Sequence, residues 1–515
     1  MVLDTSKSSL GLDKSKYEDP AKPSEQVYHI HPLGWESDPE EERFKISTLD
    51  YLSVVTYMNW ALFFKLEDDE SKPKAVEVLR AGLERTLSQV RHLCGTIERD
   101  SDGGHSFVKK KDSTVQLVVQ WLDKPEDAGK YSSMHDMEKA HFTTASLGDL
   151  NLWSVSPALT YGEKPESHPD ASPMVSAYKA NFVRGGLVLN MHVHHYAQDL
   201  KGWAGFARQL AENCYAIVNG TPFPGWDPAC LDRSRLTKPQ VPPKQQVEGP
   251  PPRQRHPDHT RGASLLFHLP KSKAAELKKL ATPSRADNPP VSFVSTWDAV
   301  SAFFWRSVTR VRAPVFQPDP SSHLLWAEAV DLRSRFHGLG LPERMACNGF
   351  FAAVSTINAP AAGIAEPTVA DIISDWPMWR LAAFVRQMTD SVTEAGLDAV
   401  LDSVAPIRDK TTLNVRVDSF PPMTVGMTDW RMASMAGVDF GFGKAALFRH
   451  LQDRITTNAN FVYPPRDESA ESDEGIEIVL FYEKRLMQTL IEDGEFNRYF
   501  EFRGVDCVDG YDEDP

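Results

Sequence analysis

Residues Leu187–Trp203, LVLNMHVHHYAQDLKGW, pass from a strand pattern to a helix pattern across one turn, and that turn carries a histidine and an aspartate. Counting by twos, Leu187, Leu189, Met191, Val193 and His195 share one face of the strand, while Asn190, His192 and His194 share the other. His195 is therefore predicted to face inward and His192 and His194 outward. After the turn, Trp203, Phe206, Ala207, Leu210, Cys214 and Val218 recur at helical spacing, and Asn219-Gly220 supplies a stop. Asp199 falls near the start of that helix.

Three readings of the stretch are open at this point. His195 can be a hydrogen-bonded core histidine, with Asp199 an ordinary N-cap that satisfies the free N–H groups of the first helical turn. Alternatively, His192 and His194, two apart on one strand face, can ligate a metal, although no third ligand is in view. In the third reading His195 is a general base, because an imidazole with a reference pKa of about 6.5 is mostly neutral at pH 7 and can take a proton from a hydroxyl.

A second motif, Asp439-Phe440-Gly441-Phe442-Gly443-Lys444, admits several misreadings. Gly441, Gly443 and Ala446 fit a G-x-G-x-x-A dinucleotide loop, but the preceding RMASMAGVDF is a poor buried strand. A Walker loop fails because Ala445 follows Lys444, and a kinase D-F-G fails because no H-R-D loop precedes it. Two glycines beside aromatic residues read as a tight turn with close backbone approach.

Together, H-x-x-x-D at 195–199 and D-F-G-F-G at 439–443 resemble the BAHD family of CoA-dependent acyltransferases, most closely the fungal branch that includes trichothecene 3-O-acetyltransferases. Further segments carry the resemblance in the same order along the chain. Ile46-Ser47-Thr48-Leu49-Asp50 is similar to the family's L-S-x-L-D segment, and VSFVSTWDAVSAFFWR at 291–306 to its S-x-x-D-A-x-x-A-x-x-W-R helix. Val330-Asp331-Leu332-Arg333-Ser334-Arg335, followed by Leu341-Pro342 and Asn348-Gly349, resembles V-D-x-R-x-R…L-P…G-N. Thr428-Asp429-Trp430-Arg431 resembles S-S-W-R. The chain departs from the pattern at Leu200, Phe442 and Cys347, where the family has glycine, tryptophan and glycine.

The resemblance implies a pair of chloramphenicol-acetyltransferase-like α/β domains, each a mixed sheet flanked by helices, with a channel at their interface. It implies His195 as general base in a ternary complex of acyl-CoA and a hydroxyl-bearing secondary metabolite, acetyl-CoA being the plainest donor. Asp199 pairs with an arginine, Arg333 or Arg335, to hold the turn. Thr428 is the oxyanion candidate, and Asp439, Gly441 and Gly443 are structural. No bound cofactor or metal is expected, acyl-CoA being a co-substrate, and CoA-contacting residues are not identified. Three alternatives stay open: condensation-type transfer from a carrier-protein phosphopantetheine, N-acylation of an amine, and a catalytically silent binding protein on the same fold. D-F-G-F-G favours free CoA over the first, and a silent protein has no need of both His195 and Asp199.

Composition agrees with a large enzyme: 515 residues, 41% hydrophobic and 25% charged, are enough for two cored domains. Residues 1–27 read as a polar lead-in, 28–226 as an N-terminal domain, 227–262 as a proline-rich crossover and 263–515 as a C-terminal domain. A helix is predicted over about 72–92 from the apolar stripe Val76, Leu79, Leu83, Leu87 and Val90. No apolar run approaches the roughly 20 residues of a membrane span, and no signal-peptide core is present, so a cytoplasmic location is expected; the chain is also expected to be a monomer. The five widely spaced cysteines read as free thiols. A net charge of −15 argues against nucleic acid as a partner. Lys109-Lys110-Lys111, and the crossover cations Lys238, Lys244, Arg253, Arg255 and Arg261, are candidates for the CoA phosphates, with a solvated surface run as the competing reading.

Overall fold

Strand β8 (Gly186–His194) is buried at all its positions and lies at the heart of a six-stranded mixed sheet. The computed structural model describes residues 24–66, 71–162, 164–251, 253–284, 291–336, 338, 340–355, 363–414, 420–452, 455 and 459–508. The first sheet runs β1 (Glu25–Ile30), β6 (Val115–Trp121), β7 (Ser176–Val183), β8, β3 (Tyr57–Lys65) and β13 (Ala445–His450). Only β6 and β7 pair in parallel. Helices α1 (Ser71–Gln89) and α2 (Leu200–Asn219) pack against each other on this sheet. Their approach is close enough that a Cβ on Gly82 would meet Cys214 Sγ at 2.3 Å. A small sheet of β2 (Glu41–Lys45), β5 (His105–Lys110) and β4 (Thr96–Arg99) stands beside it.

The second sheet runs β11 (Phe350–Val354), β10 (Trp326–Asp331), β12 (Val425–Asp429), β14 (Ala459–Tyr463), β15 (Ile476–Glu483), β9 (Gly262–Leu269) and β16 (Glu501–Val508). β10, β12 and β14 are parallel and the remaining pairs antiparallel. Helices α3 (Thr296–Phe316) and α4 (Met378–Ser391) cover it. Trp305 on α3 lies 5.1 Å from Trp326 and 6.1 Å from Phe384, ring centre to ring centre. The start of α3 is fixed by a capping box, in which Ser295 and Asp298 each satisfy the other's backbone N–H.

The fold is therefore two α/β halves, each a mixed sheet flanked by helices. β1 begins at Glu25, inside the predicted lead-in, and residues 1–23 of that lead-in lie outside the described residues. β13, C-terminal in sequence, is an edge strand of the first sheet: it pairs with β3 from Ala445↔Phe64 to His450↔Trp60. An apolar strand pattern identifies a strand but not the sheet it joins. Among the described residues no helix is long and apolar enough to cross a membrane.

Candidate active site

β8 ends at His194, and the chain turns through His195–Asp199 into α2. The His195 backbone is held at both ends. Its N–H donates to the Thr56 carbonyl at 2.9 Å, and its carbonyl accepts from Asn348 Nδ2 at 2.8 Å. The side chain faces a cavity of about 710 Å³ between the two sheets, lined by Trp60 and Tyr161 from the first half and by Phe350, Thr428 and Glu328 from the second. Nδ1 is buried, beside the residue's own backbone carbonyl and the Asn348 side chain, so the ring edge open to the cavity is that of Nε2. Burial pushes the His195 pKa below the ordinary imidazole value, against the opposing pull of that carbonyl and of the Asp199 charge. The imidazole is therefore neutral at pH 7, as a general base must be.

Asp199 does two jobs at the turn. Oδ1 accepts from the Gly202 N–H at 2.8 Å, capping α2, and from Arg333 Nη2 at 2.9 Å. Oδ2 accepts from the Gly349 N–H at 2.8 Å and from Arg333 Nη1 at 3.0 Å. A carboxylate offers about four lone-pair positions, and here all four are occupied. Asp199 is thus positioned to hold the turn, not to exchange a proton with His195. Arg335, the other candidate partner, pairs with Asp390 instead.

The N-terminal motif joins the same knot. Asp50 Oδ2 accepts from the N–H and hydroxyl of Ser47 at 2.9 and 2.7 Å, and Oδ1 from the N–H and side chain of Asn348 at 3.1 and 2.9 Å. Asn348 thereby links Asp50 to the His195 carbonyl. Cys347, where the family has glycine, is fully buried and offers its carbonyl to Arg333 Nη2 at 2.9 Å. Its side chain is not part of the cavity wall. Sequence reasoning missed Arg233, a buried cation from the proline-rich crossover whose Nη2 donates to the carbonyls of Ala197 and Ala346 at 2.7 and 2.6 Å. A single arginine in irregular chain carries no periodic signal.

His192 and His194 are fully buried, not outward-facing, because residues 154–162 and 164–168 cross that face of the sheet. The Val155 N–H donates to His192 Nε2 at 3.1 Å, so Nδ1 carries the proton and donates to the Leu159 carbonyl at 3.0 Å. In His194, Nδ1 accepts from the Tyr196 N–H at 3.1 Å and Nε2 donates to the Ser167 carbonyl at 2.8 Å. Both rings are committed to backbone partners, and burial lowers their pKa values to about 3 and about 4. No lone pair is left for a metal.

Thr428, on β12, lines the same cavity as His195. Asp439, Gly441 and Gly443 lie elsewhere, beneath the C-terminal end of α2. Asp439 Oδ1 accepts from the Gly441 N–H at 2.7 Å, and Phe440 packs edge-on against Phe64 with ring centres 5.0 Å apart. Gly441 has φ +78°, and a Cβ there would stand 2.9 Å from Val218 and 3.1 Å from the Tyr215 backbone. Gly441→Ala combines a left-handed backbone with a clash, and is expected to cost about 1–3 kcal/mol of stability. An unfolding midpoint equal to that of the unsubstituted chain would contradict this account of the turn.

The Lys109–Lys111 run and the crossover cation Lys238 are engaged by carboxylates. Lys109 is buried with its ammonium 2.7 Å from Asp38, Lys110 pairs with Glu98 at 3.7 Å and Lys111 with Glu40 at 3.6 Å. Lys238 reaches Asp398 and Asp402 at 3.0 and 2.9 Å.

The family model described as "Transferase family" matches residues 35–497. Over 484 residues, 94% of this chain and 95% of the relative, the sequence is 59% identical to acetyltransferase FGR3 of Gibberella zeae. It is 26% identical to trichothecene 3-O-acetyltransferase TRI101 of Fusarium sporotrichioides over 411 residues, 76% of this chain and 82% of the relative. The structure of F. graminearum TRI101 complexed with coenzyme A and T-2 mycotoxin is similar in fold, with a TM-score of 0.72 and 22% identity over 90% of this chain and 100% of that one. Vinorine synthase is similar with a TM-score of 0.60 and 20% identity, over 90% of this chain and 95% of that one.

Proposed function

Because the chain belongs to the Transferase family, the BAHD acyltransferases, we propose that it moves an acetyl group from acetyl-CoA to a hydroxyl of a secondary metabolite, with His195 as general base. The observation that carries this reading is the placement of His195: a neutral imidazole whose Nε2 edge opens into an interdomain cavity, on a turn whose backbone is clamped from both halves. Nε2 takes the hydroxyl proton as oxygen attacks the thioester carbonyl. The C–O bond forms, the C–S bond breaks, and the proton passes from Nε2 to the departing sulfur, giving an ester and free CoA. Both substrates are present together, so no acyl-enzyme is needed. Thr428 is proposed to donate to the developing oxyanion. Asp199 and Arg333 are positioning residues, and Asp439, Gly441 and Gly443 shape the turn that leads into β13. The acetyl donor is supported by the relative named an acetyltransferase at 59% identity, and the metabolite hydroxyl by the trichothecene 3-O-acetyltransferase relative.

Purified protein incubated with acetyl-CoA and a panel of hydroxylated terpenoids and polyketides should yield products heavier by one acetyl group in mass spectrometry. Transfer only from an acyl carrier protein, or only to amine analogues, would overturn the reading. With both substrates saturating, kcat should fall only on the acid side, at a pH below the ordinary imidazole range, because protonating His195 removes the base. An acid limb centred above about pH 6.5 would assign the base to another group.

A further inference from the structure

The cavity beside His195 extends past the second sheet. β10 and β12 pair in parallel only from Trp326↔Val425 to Ala329↔Thr428. Alternate residues of a strand point to opposite faces, yet Ala327 and Ala329 from one face of β10 and Glu328 and Val330 from the other all border the cavity. The space therefore runs alongside the strand to the helix-covered side, where Trp297 of α3 and Thr389 of α4 complete its wall. Glu328 is the carboxyl of this limb. It is 3% exposed, with Oε1 accepting from Thr389 Oγ1 at 2.5 Å and Oε2 from Trp297 Nε1 at 3.2 Å. Two of its roughly four lone-pair positions are thus left over. The charged groups facing it are Asp298 of α3 and Arg386 of α4, and Arg386 is itself drawn toward Asp298 at 3.9 Å and Asp390 at 3.5 Å. Burial above all, with Asp298 adding to it, raises the Glu328 pKa to about 7.

We propose that Glu328 is a binding residue for acyl-CoA that accepts a hydrogen bond from an amide N–H of its pantetheine arm. The inference rests on the acyl-CoA reading above. A limb that borders residues from both faces of β10 suits a linear chain better than a fused-ring acceptor. Apolar walls with one carboxyl match an arm in which amides alternate with hydrocarbon. A carboxylate already held by two neutral donors gains most from a third, because desolvating it is costly and each charge-assisted hydrogen bond offsets part of that cost.

Calorimetric titration of the full chain with CoA, from about pH 6 to about pH 8, tests this. The carboxylate form binds, so affinity should rise by about tenfold across that range in the unsubstituted protein. CoA's own phosphate titrates in every variant, so the difference between slopes is the readout. Glu328→Gln keeps the side-chain size, its amide oxygen able to accept from Trp297 while its NH2 donates to the Thr389 hydroxyl, and should lose the extra slope. Glu328→Leu should weaken binding about tenfold or more at the upper pH. Equal affinity and equal slope in both variants would overturn the role of Glu328 while leaving the acyltransferase reading intact. No CoA binding by the unsubstituted protein would overturn that reading, and the occupant named here with it.

Discussion

His195→Ala should lower kcat by about 10²–10⁴-fold, the usual contribution of a positioned general base, while leaving the unfolding midpoint and CoA affinity nearly unchanged. The two expectations separate because the turn is not held by the imidazole. Backbone bonds to Thr56 and Asn348, and the Asp199 clamp beyond them, hold it whatever the side chain at 195. The ring borders the cavity, and its nearest aromatic neighbour, Phe350, is 6.4 Å away between centres, so truncation enlarges an existing space instead of opening a void in packed core. Residual rate would come from holding the two substrates in line and from oxyanion donors, which the substitution leaves in place. Activity within a few-fold of the unsubstituted protein would remove His195 from the mechanism. A large drop in stability would mean that the imidazole is a structural ring and the kinetic loss uninformative.

How far the site was legible depends on what each residue's partners are. The change of hydrophobic period between Leu189 and Trp203 places the strand, turn and helix, and the helix runs from Leu200 to Asn219, with Gly220 in the left-handed conformation that ends it. The same period says which residues share a face but not whether that face is covered. The period puts His192 and His194 outside, yet they are buried, because residues 154–162 and 164–168, which have no periodicity, lie over them. Arg333 and Arg335 are equivalent in the V-D-x-R-x-R pattern; only the fold shows that Arg333 enters the turn while Arg335 reaches Asp390. Glu328 reads in sequence as a polar residue in a strand and nothing more. Its meaning comes from the cavity it borders and from Trp297 and Thr389 on two helices, a three-dimensional fact with no local signature. The Asp439–Gly443 turn was readable as a close backbone approach, but its destination, β13 in the first sheet, was not.

Arg333→Met should be the most destabilising single change near the site, by about 3–5 kcal/mol, because it removes one member of a buried ion pair and leaves the other charged. The Arg333 side chain is 1% exposed, and its guanidinium spans Asp199, Asp331 and the carbonyls of Met345 and Cys347. Burial opposes its charge, but Asp199 foremost among its neighbours more than compensates, and its pKa is raised. With Arg333 gone, Asp199 keeps the N–H groups of Gly202 and Gly349 but loses its countercharge. The Cys347 carbonyl keeps the Asp199 N–H at 3.3 Å but loses the guanidinium, so this loop is tied less firmly to the start of α2 and His195 loses part of its alignment with the cavity. Arg333→Lys should not rescue, since an ammonium cannot span both carboxylate oxygens as a planar guanidinium does. The double variant Arg333→Met with Asp199→Asn should recover part of the stability without recovering the rate: the stranded charge is gone, but one amide oxygen can accept from only one of the Gly202 and Gly349 N–H groups, and the two-pronged clamp is still missing. Thermal unfolding and kcat measured across this cycle separate the two effects. Additive stability losses in the double variant would show that Asp199 and Arg333 act independently, and would leave the turn after β8 without the clamp on which the placement of His195 depends.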